Sequence, residues 1–228
     1  VSERIAVYVE VGAKRAFAGA LEWPGWCRGG RDGDAALAAL AAYGERYGTS
    51  MGEAARGFVV PASPSALEVV EQLEGDATTD FGAPSRAPSV DGRPVDGPAF
   101  ERLLALLQAS WAAFDRAAAS AVGVELRKGP RGGGRELDAI VAHVTDADGG
   151  YLRRIEGVYR TAPGASDPVV RANGMREAII RTLSARRRGE APEKPRRSGA
   201  VWTTPYFVRR SAWHALDHAW EIEDRSAR

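Results

Sequence analysis

Apolar residues return at every third or fourth position through most of the second half of this chain, and that period commits it to helices. From a start at Pro98, Leu103, Leu104, Leu106, Leu107, Trp111 and Phe114 keep the period to about Ala121. Leu137, Ile140, Val141, Val144, Tyr151, Leu152 and Ile155 predict a second helix from Glu136 to about Tyr159, with Gly149-Gly150 as the place for a kink or an early end. Asp167-Pro168, an N-cap followed by proline at the first helical position, starts a third. It runs through Val170, Met175, Ile179, Ile180 and Leu183 to about Arg187. A fourth spans about Val208 to Arg225. Gly129 to Gly134 and the charged, Pro-containing stretch Arg186 to Ser198 break the pattern between them. Four helices of this length predict an all-α antiparallel four-helix bundle.

The first third carries the other period. Ile5, Val7, Val9 and Val11 alternate with Arg4, Ala6, Tyr8 and Glu10, which predicts a strand buried on one face. A turn at Gly12 to Arg15 returns the chain along Ala16 to Glu22, and Trp23-Pro24-Gly25-Trp26 stops regular structure. Asp32 or Asp34 caps a helix to about Tyr47. Gly57 to Val60 reads as a short strand, and Leu67 to Leu73 fits strand or helix equally. Gly75 to Pro98, rich in Gly, Pro, Ser, Asp and Thr, reads as a loop or linker. The expected organisation is a small α+β module over residues 1–85, a linker over 86–98 and the bundle over 99–228.

Composition narrows the function classes. With 31 basic and 30 acidic residues the net charge is +1, which argues against a polybasic nucleic-acid binder. A single cysteine, Cys27, excludes an internal disulfide framework and a Cys-cluster zinc site, and makes a reducing, cytoplasmic compartment the default expectation. No apolar run reaches the ~18 residues that cross a bilayer. Val1 to Gly12, with Glu3, Arg4 and Glu10, does not read as a secretory leader. Arginine supplies nearly all the basic charge, a bias like that of GC-rich bacterial coding.

The three histidines of the chain, His143, His214 and His218, form the chemical constellation. His214 and His218 are four apart on the fourth helix, so they share a face ~6 Å apart along the axis. His143 lies on the second. Three neutral imidazoles from facing helices suit zinc, nickel, iron(II) or copper(II) and leave an open position. A hydrogen-bonded core histidine is the structural alternative for each. Asp146, Asp217 and Glu221 are candidates to orient an imidazole, to add a fourth ligand or to act as base, and Glu221 is best spaced for His218. Trp213 and Trp220 bracket the pair and are candidates to wall the site, whereas Trp111 and Trp202 read as core or lining. Cys27, beside Trp26, reads as a small buried hydrophobe rather than a nucleophile. Arg186-Arg187-Arg188 with Lys194, Arg196 and Arg197 reads as a solvated loop balanced by Glu190 and Glu193. Gly132 to Gly134 lacks the strand and the Lys-Ser/Thr of a phosphate loop.

Ile140-Val141-Ala142-His143 upstream and Ser211-Ala212-Trp213-His214-Ala215-Leu216-Asp217-His218-Ala219-Trp220-Glu221 downstream resemble the DinB/YfiT-like metal-binding four-helix bundles over residues 98–228. The resemblance implies that His143, His214 and His218 are the ligands of one divalent metal: zinc, nickel, iron or manganese. It also implies a metal-dependent transferase or hydrolase acting on a small electrophile. Some members are thiol transferases that use bacillithiol or mycothiol, and one is a mycothiol-dependent maleylpyruvate isomerase, so a low-molecular-weight thiol is the implied cosubstrate. Phe17 to Gly30, with its Trp23-Pro24-Gly25-Trp26-Cys27 turn, is similar to HicB-like modules, which implies a partial RNase-H-like β-β-β-α-β fold and recognition of a partner. The competing expectation is a non-catalytic binding or regulatory protein whose metal is structural or sensory. Bundles of this kind also suit a homodimer.

Overall fold

The computed structural model describes residues 4–128, 134–161, 167–192, 194–195 and 198–226. The glycine break expected from Gly129 lies outside them up to residue 133, as do Glu193, Arg196 and Arg197 of the basic connection. By backbone proximity the chain forms two compact units. One comprises Val1–Ala113 with Val208–Leu216, the other Phe114–Phe207 with Asp217–Arg228. The class is α+β: one four-stranded mixed sheet and, among the described residues, seven α-helices. Among those residues no helix is long and apolar enough to cross a membrane.

The first unit is built on strand β1, Ile5–Val11. It pairs antiparallel with β2, Ala16–Ala20, which pairs antiparallel with β3, Cys27–Gly30. On its other side it pairs parallel with β4, Leu67–Glu74, giving the order β3-β2-β1-β4. Pairing with β1 decides the ambiguous Leu67 to Leu73 segment in favour of strand. Gly57 to Val60 forms no strand, and Val59 and Val60 are exposed. Glycine at position 19 has a packing reason. It stands opposite Tyr8 in the β1–β2 register, and a Cβ there would meet the tyrosine ring at 2.6 Å.

β1 departs from the expected one-sided burial, because Tyr8 and Glu10 are buried along with Val7 and Val9. Helix α1, Gly33–Ala42, packs on β1, β2 and β3. Residues of the last helix, α7, Thr204–Ser226, also reach this sheet. Trp213 meets Phe17 edge-on at 6.0 Å, and the Arg209 guanidinium lies 5.6 Å from the centre of the Tyr8 ring. Alternation had placed Tyr8 and Glu10 on a wet face, but helices cover both faces of a central strand here.

A buried carboxylate is tolerated only when hydrogen-bonded. Glu10, fully buried, accepts from the Ser85 and Arg86 amides at 3.0 Å, from Ser85 Oγ at 3.2 Å and from Thr79 Oγ1. This ties Gly75 to Pro98 down. That stretch contains a short helix α3, Ala77–Phe81, opened by an Asp76–Thr79 capping box, and a 3-10 turn, Ser89–Gly92.

The helix expected up to Tyr47 is two. Asp32 caps α1 by accepting from the Ala35 amide at 2.8 Å. The backbone leaves helical geometry at Tyr43, and α2, Gly44–Met51, continues. Trp26 and Tyr47 stack nearby, with Trp26 Nε1 donating to the Leu40 carbonyl at 2.9 Å and Tyr47 OH donating to the Pro24 carbonyl at 3.0 Å.

The second unit takes the C-terminal end of α4, Gly97–Ser120, and all of α5, Leu137–Arg154, and α6, Pro168–Arg187. It also takes both ends of α7. α5 and α6 pack on one another. α5 runs through Gly149-Gly150 and stops at Ile155, where the Gly157 amide bonds the Leu152 carbonyl and Glu156 takes a positive φ of 65°. α6 starts where Asp167-Pro168 predicts, with the Asp167 carboxylate accepting from the Val169 and Val170 amides. Arg176 of α6 holds Asp115 of α4 through two bonds, 2.6 and 2.9 Å.

Candidate metal centre

α7 is one continuous helix, and it carries His214 and His218 one turn apart. α5 brings His143 to them. The ligand-capable atoms of the three residues all lie within 4.8 Å of one another. Among the described residues these three form the group of His, Cys, Asp and Glu side chains able to share an ion. The rings of His143 and His218 meet edge to face, centroids 5.0 Å apart. His214 is 7% exposed, and the other two are partly buried.

The donor set suits a transition metal. Imidazole nitrogens at 2.0–2.1 Å from a four-coordinate zinc stand about 3.4 Å apart. Small side-chain rotations therefore bridge the difference from the observed spacing. The ligands must be neutral. Burial first, then the Arg135 and His218 charges, lower the pKa of His143, so its imidazole keeps a lone pair at neutral pH.

Glu221 lies where the spacing places it. His218 Nδ1 faces Glu221 Oε2 at 2.7 Å, and because a carboxylate only accepts, Nδ1 is the donor. That selects the tautomer with its lone pair on Nε2, the atom left to bind an ion. The bond to His218, together with Arg225, holds the Glu221 carboxyl below its ordinary range despite partial burial. Asp146 is engaged elsewhere, in an ion pair with Arg171 of α6. Asp217 is half-buried on α7 and outside the histidine group.

The remaining candidates resolve into structure. Trp213 is the exception: it packs with Phe17 and Cys27 in the core of the first unit, and its ring centroid also stands 6.0 Å from that of His214, beside the histidine group as expected; Trp111 and Trp220 are buried. Trp202 packs against Tyr151 and Tyr206. In the basic connection, Arg186 donates to the Ile155 and Trp202 carbonyls at 3.2 Å and pairs with Glu156 at 3.7 Å, while Arg188 pairs with Glu190. Sequence reasoning missed Arg225. Its i,i+4 spacing from Glu221 was a readable signal, but its further bonds to distant carbonyls had none.

Cys27 is buried, and desolvation first, with the Glu10 charge second, pushes its thiol up to about 12. At pH 8 the thiolate fraction is then about one in ten thousand. The native protein is expected to resist a thiol-reactive disulfide reagent at pH 8 and to react at least ~100-fold faster in denaturant. Equal rates in the two states would contradict this burial.

Compared with family models, curated proteins and solved structures, the chain matches none.

Proposed function

We propose that this protein binds one divalent transition metal through His143, His214 and His218 and uses it as a metal-dependent transferase or hydrolase on a small electrophile. The observation that carries the reading is the convergence of the chain's three histidines within 4.8 Å of one another. Three protein ligands leave a position for an exogenous donor, whereas structural zinc sites are closed by four. An ion held there supplies Lewis acidity, lowering the pKa of a coordinated thiol or water. Glu221 sets the tautomer of His218, and burial keeps His143 neutral. On this reading α4 to α7 form the DinB-like bundle, with zinc, nickel, iron or manganese as the metal and a low-molecular-weight thiol as cosubstrate.

A second reading is favoured by the sheet. The order β-β-β-α-α-β and the outer strand β4, which exposes Val69 at 44% and Val70 at 52%, suit a module that recognises a partner. The metal would then be structural or sensory.

Cobalt(II) loading separates the two. An open site takes up an added small thiol, and a sulfur-to-cobalt charge-transfer band is expected in the spectrum. A cobalt spectrum indifferent to thiols and other small anions would exclude the enzymatic reading and leave the binding one.

A further inference from the structure

The histidine group stands at one end of a hydrogen-bonded chain along α7. His218 Nδ1 donates to Glu221 Oε2 at 2.7 Å, and Glu221 Oε1 accepts from Arg225 Nη1 at 2.9 Å. The Arg225 guanidinium, with its side chain 11% exposed, does not stop there. Nη1 also donates to the Arg135 carbonyl at 2.7 Å, and Nε donates to the Arg127 carbonyl at 2.8 Å. Arg127 returns the contact: its amide donates to the Arg225 carbonyl at 3.0 Å and its Nη2 to the Asp224 carbonyl at 2.5 Å. Arg127 and Arg135 flank the α4–α5 connection. Next to Arg135, Gly134 has a φ of 140°, and a Cβ there would come 2.7 Å from Arg225 Nη2. The guanidinium therefore fills space that only glycine leaves.

We propose that Glu221 and Arg225 are positioning residues for the histidine site, orienting His218 and tying it to the Arg127 and Arg135 flanks of the α4–α5 connection. The inference rests on the metal-binding reading above and adds a coupling to it. A lone imidazole has two tautomers and a free ring torsion; the carboxylate on Nδ1 removes one tautomer and fixes the ring. The guanidinium in turn fixes the carboxylate, and its fork geometry lets one side chain hold Glu221 and two backbone carbonyls at once. An i,i+4 pair that only supported the helix would leave metal affinity unchanged. Coupling through this chain is reciprocal: metal at the histidines must stabilise the Arg127–Arg225 contacts by as much as those contacts strengthen metal binding.

The test uses the full chain with Zn2+ and Co2+, measured by chelator competition, in wild type, Glu221→Gln, Arg225→Met and Arg176→Met. The last breaks the α6–α4 pair and controls for general loss of stability. Glu221→Gln and Arg225→Met are expected to bind metal about 10- to 100-fold more weakly, with Arg176→Met close to wild type. Metal is also expected to slow amide exchange at Arg127 in wild type and not in Glu221→Gln. Should Arg225→Met fail to fold, the nearly isosteric Glu221→Gln decides. Wild-type affinity in both relay variants, or an equal loss in Arg176→Met, would overturn the proposal. A wild-type protein that binds neither ion would instead overturn the metal reading itself.

Discussion

His214→Ala is expected to abolish metal binding: about one equivalent per chain in the wild type after loading with Zn2+, and less than a tenth in the variant. The spacing explains why the loss should be near total. His214 is one turn from His218 on α7 and in the same group as His143, and it is the most buried of the three. Two imidazoles alone hold a labile ion poorly, and nothing among the described residues is placed to replace the third. A stability readout should follow the stoichiometry. A ligand that binds only the folded state at a thousandfold its Kd stabilises it by about 4 kcal/mol. For a chain of this size that raises Tm by roughly 10 °C. The wild type should show this upshift with Zn2+, and His214→Ala should show almost none. Elemental analysis beside thermal unfolding checks both parts. Equal metal content in the two proteins would refute the site. Absence of metal from both would leave three structural histidines and favour the partner-recognition reading.

Much of this was legible from local chemistry. The Asp167-Pro168 start of α6 and the cap of α1 need only their own neighbours; the first forms as read, and of the two caps offered, Asp32 and Asp34, Asp32 takes the position. The His214–His218 pair follows from helix geometry alone, as does Glu221 beneath His218. The errors have one cause in common: they concern burial or pairing set by residues far away in sequence. Alternation in β1 could not reveal that Tyr8 and Glu10 would also be covered. Nothing near Glu10 signals that Ser85 and Arg86 would supply its amides. The polar composition of Gly75 to Pro98 suggested loop, yet its Thr79, Ser85 and Arg86 are what satisfy the buried carboxylate of Glu10. Arg225 illustrates the same limit: its helical partner is four residues away, but its carbonyl partners are 90 and 98 away.

The first unit holds a buried ion pair whose disruption should be strongly destabilising. Arg209, on α7, meets Asp91, in the 3-10 turn, through two bonds of 2.8 Å, and the side chains are 6% and 2% exposed. The same guanidinium donates to the Ala20 carbonyl at 2.6 Å and the Leu21 carbonyl at 3.0 Å, at the end of β2. One side chain thus joins the helix, the sheet and the turn of this unit. Removing one partner of such a pair leaves the other buried and uncompensated, which costs about 3–5 kcal/mol. Asp91→Ala is expected to fall in that range, measured by urea unfolding. Arg209→Met should cost a similar amount, because it strands Asp91 and leaves two carbonyls without a donor. The double variant Asp91→Leu/Arg209→Met distinguishes an ion-pair effect from a packing effect. If the uncompensated charge is the damage, replacing both charges with apolar groups should recover much of the loss, as it does where buried pairs contribute little net stability. If the double variant is instead no more stable than Arg209→Met alone, the lost contacts to the Ala20 and Leu21 carbonyls carry the effect. A loss under about 1 kcal/mol for Asp91→Ala, the size of an exposed pair, would mean that water reaches this site in solution.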